Sequence, residues 1–190
     1  DMELNPLTAL SPIDGRYARQ TDALRDIFSE CAFMNARVRV EVEWLISLSE
    51  AGFAELPHLS DHGKAFLRGL ADNFSLADCE AIKEIEKTTN HDVKAVEYWI
   101  KNQVAHDEEL KSASEFVHFS CTSEDINNTS HAIMLKRGRE ALADYLQQIH
   151  DTIAGFAHQW AEIPMLSRTH GQTASPTTVG KEFANVAVRL

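Results

Sequence analysis

The sequence predicts an all-α protein, with an N-terminal helical domain followed by the start of a bundle of long helices. Three observations indicate this class. Apolar residues recur at intervals of three and four over long segments. Glycine and proline are scarce, 8 and 5 among 190 residues. Polar clusters typical of helix starts separate the segments. We assign residues 1–111 to the N-terminal helical domain and residues 112–190 to the first part of the bundle domain.

The first long helix is predicted for residues 24–48, where the apolar residues follow the three-and-four spacing. Within it, the stretch RVRVEVEW alternates as a strand would, but the helical spacing continues on both sides and favours a helix. Gly52 supplies a C-terminal stop. A shorter helix is predicted for residues 61–71. The next helix begins at Ser75, because Ser75 and Asp78 have the spacing of a capping box.

The longest helix is predicted from Glu124 to Trp160, about 37 residues or about 55 Å at the helical rise per residue. Apolar residues step by four and three along one of its faces, the spacing of a bundle seam: Leu142, Leu146, Ile149, Ile153, Phe156 and Trp160. Pro164 closes this helix, and Ser175 and Pro176 are interpreted as the N-cap and first residue of the next. Two helices cannot bury such a seam between themselves. We therefore expect further helices of a longer chain, and other subunits, to cover it.

The composition restricts the class of partner. Hydrophobic residues make up 44% of the chain, and the net charge of −11 argues against nucleic acid or an anionic membrane as a general partner. No apolar run approaches the ~20 residues that cross a bilayer, and the N-terminus lacks a signal-peptide pattern. The three cysteines, Cys31, Cys79 and Cys121, are widely spaced without a C-x-x-C motif. This usage fits a reducing cytosol better than a disulfide framework, so we predict a cytoplasmic protein.

Four polar stretches supply the candidate site residues. The first, SPIDGRY, is a turn that would present the cation of Arg16 beside the phenol of Tyr17, although an ordinary surface turn explains it equally well. In the second, KTTNHDVKAVEYW, Thr89 and Asp92 have capping-box spacing, which would place His91 in the first turn of a helix. A neutral His91, with Asn90 beside it, could contact a carboxylate or phosphate there. The alternative is a capped helix with a surface histidine.

The third stretch, HFSCTSEDINN, places Thr122 and Ser123 where the longest helix begins, because Thr122 and Asp125 form another capping pair. Their hydroxyls and the free amides beside them could bind a carboxylate, although the pattern is also that of a plain cap. Cys121, with His118 as its base, is a poor candidate for a nucleophile because the neighbouring residues are apolar and suggest a buried thiol.

The fourth stretch, LSRTHGQTASPTTVGKEF, presents His170 in a loop of small hydrogen-bonding residues, where it could donate or accept a proton. A metal site is disfavoured, because Pro57 and Gly63 prevent His58 and His62 from sharing a helical face. No cofactor is expected from the remaining motifs, since no glycine-rich phosphate loop is present.

Together the four stretches resemble adenylosuccinate lyases of the fumarase/aspartase superfamily in order and approximate spacing, and CTSEDINN resembles their bacterial subgroup. The resemblance runs from Ser11 to Lys181. Thr173 is a departure, because many relatives have proline there; it changes the stiffness of the turn and leaves the imidazole unaffected. The resemblance implies a fumarase/aspartase-like helical-bundle fold.

The resemblance also implies the reaction, which is β-elimination of fumarate in purine biosynthesis. Adenylosuccinate would give AMP, and the succinyl-carboxamide ribotide would give the aminoimidazole carboxamide ribotide. The implied roles are a general acid at His170, phosphate binding by Arg16 and Tyr17, a pocket wall of Asn90, His91 and Asp92, and a grip on the succinyl part by Thr122 and Ser123. No metal or other cofactor is implied. The protein would be a homotetramer whose active sites each draw on three subunits.

The family's loop resembling S-S-x-M-P-x-K-x-N, which carries the serine base, has no match in residues 1–190. We therefore expect these residues alone to lack turnover. Two alternatives stay open. One is another fumarate-releasing lyase of the same superfamily, and the other is a non-catalytic helical oligomerisation module. Such a module would not need polar stretches at four helix junctions.

Overall fold

A computed structural model describes residues 3–190 and confirms the all-α prediction. The described chain contains seven α-helices, two short 3-10 segments and four strands of two residues each. Its internal contacts divide it into two compact units, Asp1–Gly138 and Arg139–Leu190. The proposed domain division at residue 111 stays a prediction.

The first unit begins with turns that lead into two consecutive helices, α1 (Arg25–Phe28) and α2 (Glu30–Glu50). The prediction of one continuous helix from residue 24 is wrong at its start. Ser29 is extended, and its side chain accepts a hydrogen bond from the backbone N–H of Ala32, so it acts as the N-cap of α2. The predicted stop is confirmed, because Gly52 has a φ of 83° just beyond the end of α2.

Three further helices complete the core of this unit: α3 (Asp61–Asp72), α4 (Leu76–Thr89) and α5 (Asp92–Val104). The predicted capping box at Ser75 and Asp78 is present, with both reciprocal hydrogen bonds formed. The four helices α2 to α5 enclose a hydrophobic cluster that includes Val38, Val42, Leu45, Leu67, Ile82, Val96 and Ile100. A 3-10 segment, Leu110–Phe116, then leads to the next long helix.

Helix α6 (Ser123–Gln159) contains 37 residues, which confirms the predicted long helix. It ends before Pro164, which instead begins a strand. Its glycine at position 138 accommodates an aromatic ring, since a Cβ at Gly138 would overlap the ring of Phe28. Further along α6, several apolar side chains of the predicted seam are exposed in the single chain: Leu142, Leu146 and Ile149. An uncovered seam of this kind is what the sequence pattern predicts for one subunit of a bundle.

The second unit combines the end of α6 with a short antiparallel arm and α7 (Val179–Ala187). In the arm, β1 (Pro164–Met165) pairs with β4 (Thr177–Thr178), and β2 (Arg168–Thr169) pairs with β3 (Gln172–Thr173). The prediction of a helix start at Ser175 and Pro176 is wrong. The pairing of β4 with β1 keeps the chain extended through Thr178, whose side chain accepts the N–H of Lys181 and caps α7.

Two cysteines contradict the expectation of no disulfide framework. Cys31 of α2 and Cys79 of α4 form a disulfide, with their Cα atoms 5.7 Å apart. Cys121 is a free, half-buried thiol. Within residues 3–190, no helix is long and apolar enough to cross a membrane.

Candidate functional site

The start of α5 holds the second polar stretch in a geometry that differs from the predicted capping box. Asn90 ends α4 in the left-handed region, with a φ of 50°, and His91 is extended. His91 itself is the N-cap, because its Nδ1 accepts the backbone N–H of Lys94 at 3.2 Å. The expectation that Thr89 caps this helix is therefore wrong. The Thr89 hydroxyl instead accepts the N–H of His91 across the turn between the two helices.

The cap determines which nitrogen of His91 faces Ser123. Because Nδ1 accepts a backbone N–H, it carries no proton, and a neutral ring then has its proton on Nε2. Nε2 lies 3.4 Å from the hydroxyl oxygen of Ser123. The structure thus brings the second and third polar stretches together.

The third stretch begins α6, as the sequence predicts. The backbone N–H and hydroxyl of Thr122 both donate to the Asp125 carboxylate, at 2.7 and 3.0 Å. The backbone hydrogen bond and then the hydroxyl lower the pKa of Asp125 below its ordinary value. Thr122 is exposed and Ser123 half-exposed, and the Ser123 hydroxyl is the one that lies beside His91. Helix-start amides and hydroxyls of this kind can bind a carboxylate of a ligand.

A buried arginine that the sequence interpretation missed connects these helix starts. Arg37 of α2 is 3% exposed. Its Nη2 lies 2.5 Å from Oδ2 of Asp92, and its Nε donates to Oδ1 of Asn127 at 2.9 Å. Its guanidinium also stacks on the ring of Phe33, 3.8 Å from the centroid. Arg37 therefore joins the first turn of α5 to the first turns of α6.

The electrostatics of Asp92 follow from these contacts. Burial alone would raise its pKa, but the N–H of Val93 and the guanidinium of Arg37 lower the pKa below the ordinary value. Asp92 is consequently an anion whose charge Arg37 neutralises from the buried side. A second missed residue, Glu41, is fully buried one turn along α2. The helical spacing of Met34, Arg37, Glu41 and Leu45 could have revealed that both charged residues lie on the core face.

The first stretch forms a separate feature within the same unit. The guanidinium carbon of Arg16 lies 5.6 Å from the ring centroid of Tyr17, and both side chains are exposed. Asp14 in this turn pairs with Arg25 of α1 at 3.1 Å. No hydrogen bond or ion pair of the described residues links Arg16 or Tyr17 to the group around His91.

His170 lies at the tip of the β2–β3 hairpin in the second unit. His170 and Gly171 form the two-residue turn, with φ values of 52° and 73°. Positive φ at both central residues is the pattern of a type I′ hairpin turn. The turn leaves the imidazole exposed, and it explains why the chain departs from helix at this point.

Cys121 is a poor candidate for a nucleophile, as the sequence indicates. Burial raises the pKa of its thiol, and the nearby carboxylates of Glu41 and Asp125 raise it further.

Comparison with known proteins identifies the class to which this fold belongs. The chain superposes on a fumarate lyase from Mesorhizobium sp. BNC1 with a TM-score of 0.66 and 20% sequence identity, covering 88% of this chain and 38% of that one. At that identity the likeness concerns the fold, which is the helical fold of a fumarate lyase.

Sequence comparison shows the family to which this chain belongs. A family profile described as "Lyase" matches residues 15–190, so the chain belongs to this lyase family. Among curated proteins, the chain is 54% identical to an adenylosuccinate lyase of Vibrio cholerae and 55% identical to one of Haemophilus influenzae. Both alignments cover all of this chain and 42% of the relative.

Proposed function

We propose that the protein to which these residues belong releases fumarate from adenylosuccinate, giving AMP, and from the succinyl-carboxamide ribotide, giving the aminoimidazole carboxamide ribotide. The observation that carries this proposal is the 53–55% identity to three relatives named adenylosuccinate lyase, over the whole length of this chain. The Lyase family match supports the reaction class.

The proposed chemistry explains why the polar residues have these types. A base removes a proton from the carbon next to a carboxylate, the electrons of that C–H bond form the double bond of fumarate, and the C–N bond breaks towards nitrogen. The departing nitrogen then needs a proton, which we assign to His170 as general acid. The exposed ring at the tip of a tight hairpin turn suits such a donor.

The remaining roles concern the charge of the substrate. Thr122 and Ser123 at the start of α6 would bind the succinyl carboxylates, because helix-start amides and hydroxyls stabilise charge that develops as the C–H bond breaks. Asn90, His91 and Asp92 would line the pocket around the nucleotide. Arg16 and Tyr17 would hold the phosphate, with the guanidinium as the charge partner.

Assembly and location are part of the same proposal. We propose a homotetramer in which each active site draws on three subunits. A cytoplasmic location stays part of the proposal, but the Cys31–Cys79 disulfide removes the cysteine argument for it. The exposed apolar residues of α6 support burial between subunits. The base would come from a loop outside residues 1–190, so these residues alone should not turn over substrate.

The experiment is an assay of fumarate release from adenylosuccinate by the full-length protein, with His170→Asn as the test variant. Asparagine tolerates positive φ, so it preserves the hairpin turn while removing the proton donor. We expect kcat to fall by about 10²–10⁴, the usual contribution of a general acid. His62→Asn, on an exposed position of α3, is the matched control and should retain activity.

The results separate the parts of the proposal. No fumarate release by the wild-type protein would contradict the function, and another succinyl or aspartyl substrate would then be sought for a lyase of this family. Full activity of His170→Asn would contradict the role of the histidine alone. In the same assay Arg16→Ala should raise KM, and an unchanged KM would contradict the phosphate assignment.

A further inference from the structure

A buried carboxylate lies beneath the candidate site without a role in the proposed chemistry. Glu41 of α2 is 0% exposed, and its Oε1 lies 2.6 Å from Nδ1 of His118. Its second oxygen, Oε2, is buried without a hydrogen-bond partner among the described residues. A buried carboxylate destabilises the folded state unless a charged partner compensates it. Removing that partner destabilises the fold further, because the charge is left buried and unpaired.

The partner of Glu41 belongs to a turn in an uncommon backbone conformation. His118 and Ser120 have φ values of 65° and 62°, in the left-handed region that non-glycine residues rarely adopt. Such conformations persist where surrounding contacts enforce them. The contacts come from α2: Glu41 holds His118, and the indole N–H of Trp44 donates to the carbonyl oxygen of Phe119 at 2.8 Å.

This turn leads directly to the residues that face His91. Cys121 ends it, and Thr122 and Ser123 follow at the start of α6. The 3.4 Å separation between Ser123 Oγ and His91 Nε2 therefore depends on where α2 holds the turn. His91 is fixed independently, because its other ring nitrogen caps α5.

We propose that Glu41 and His118 are positioning residues of this site: the buried carboxylate holds the imidazole, and the imidazole fixes the turn that sets Thr122 and Ser123 opposite His91. Trp44 supports the same turn from α2. The inference rests on the proposed function, since it assigns these residues to the geometry of succinate binding rather than to a chemical step.

The charges around His118 favour its cationic form. Glu41 faces it from α2, Glu97 and Lys94 lie near it on α5, and Asp125 lies near it in the first turn of α6. Glu97 is already neutralised by Lys94 and Lys101, at 2.9 and 3.2 Å. The hydrogen bond that the His118 imidazole donates to the Glu41 carboxylate raises the pKa of His118, against the effect of burial.

The stabilisation of the turn by the Glu41–His118 pair should decrease as the pH rises. A histidine whose pKa is raised in the folded state contributes its full stabilisation below the unfolded pKa, and this is lost as the pH rises through the folded pKa. The turn should therefore loosen on the alkaline side, and KM should rise there.

The test is Glu41→Gln in the full-length protein, which keeps the shape of the side chain and removes its charge. We expect KM for adenylosuccinate to rise about tenfold with kcat little changed, and the alkaline rise of KM to move to lower pH. NMR of ¹³C-labelled histidine rings should show a lower pKa for His118 and a shifted signal for His91. Glu43→Gln is the matched control, because Glu43 lies on the same helix in a half-exposed pair with Arg68, and this variant should leave all of these quantities unchanged.

A second variant keeps the inference testable if Glu41→Gln does not fold. Trp44→Phe keeps an aromatic ring at a partly exposed position and removes only the N–H that binds Phe119. It should raise KM about threefold and shift the His91 signal. If Glu41→Gln does not fold, a rise in KM and a shifted His91 signal in Trp44→Phe support the inference, and their absence overturns it.

The outcomes separate this inference from the proposed function. Absence of fumarate release by the wild-type protein contradicts the proposed function. The NMR signals then test the positioning role by themselves: a shift of the His91 signal in Glu41→Gln, without a shift in Glu43→Gln, supports that role. The inference is overturned if Glu41→Gln leaves the His118 pKa and the KM profile as in wild type, or if Glu43→Gln has the same effect.

Discussion

Replacing Arg37 with methionine should loosen the start of α5 far more than a matched change nearby. Arg37 makes one hydrogen bond to Asn127, one ion pair with Asp92 and a stacking contact with Phe33. Methionine has an apolar, flexible side chain that fills much of the same volume. The variant therefore removes the polar contacts without leaving a large cavity.

The magnitude follows from the exposure of each partner. A hydrogen bond from a buried guanidinium contributes about 2 kcal/mol. The side chain of Asp92 is 47% exposed, so solvent screens that pair and it contributes at most about 1 kcal/mol. The stacking contact adds about 1 kcal/mol, part of which methionine packing offsets. The expected loss is about 3 kcal/mol for an opening that separates α2 from the starts of both α5 and α6, or about a hundredfold in that opening equilibrium.

The assay is amide hydrogen exchange of the full-length protein, followed at the first turns of α5, from Lys94 onward, and at the first turns of α6 around Asn127. Arg37→Met should accelerate exchange there by about a hundredfold. The control is Arg39→Met on the same helix, because Arg39 pairs with Asp72 at the surface and should contribute under about 1 kcal/mol. Equal acceleration by the two variants, or none by Arg37→Met, would refute the role assigned to the buried arginine.

Three further predictions test the fold. Leu67→Ala, at a fully buried position of α3, should destabilise the protein by about 2–5 kcal/mol, whereas Leu76→Ala at the exposed start of α4 should have little effect; thermal unfolding that fails to distinguish them would contradict the described core. Thr178→Ala should cost about 1 kcal/mol and accelerate exchange of the Lys181 amide, while Ser175→Ala should not; the reverse result would restore the sequence-based helix start. A non-reduced proteolytic digest should contain a cross-linked peptide pair with Cys31 and Cys79, and mass spectrometry that finds only free thiols would contradict the disulfide.

Helix periodicity predicted the long elements well, because burial of an apolar face decides helix formation over many turns. The 37 residues of α6 and the helix from Asp61 are the clearest cases. Boundaries were less predictable where two residues could serve as a cap. Ser175 and Thr178 are both good N-caps, and the choice depends on the pairing of β4 with β1, which lies outside any local pattern.

In the candidate site too, features set by the local sequence were predictable, and contacts between distant residues were not. The polar stretches at the helix starts were visible in the sequence, and the structure brings His91 and Ser123 together. Arg37 and Glu41 were not singled out, because charged side chains are rarely fully buried, although both lie on the buried face of α2. The disulfide escaped because its cysteines are separated by 48 positions, and only the packing of α2 against α4 brings them together.

Gly138 has a consequence for how variation in this protein would be interpreted. The ring of Phe28 occupies the space that a side chain at 138 would need, and Phe28 belongs to the short helix whose Arg25 holds Asp14. Asp14 lies in the turn that presents Arg16 and Tyr17. A substitution at Gly138, in the interior of a long helix and outside the four polar stretches, would thus displace Phe28 and, through Arg25 and Asp14, disturb the turn that carries the proposed phosphate-binding residues. A survey of variants restricted to the polar stretches would miss it.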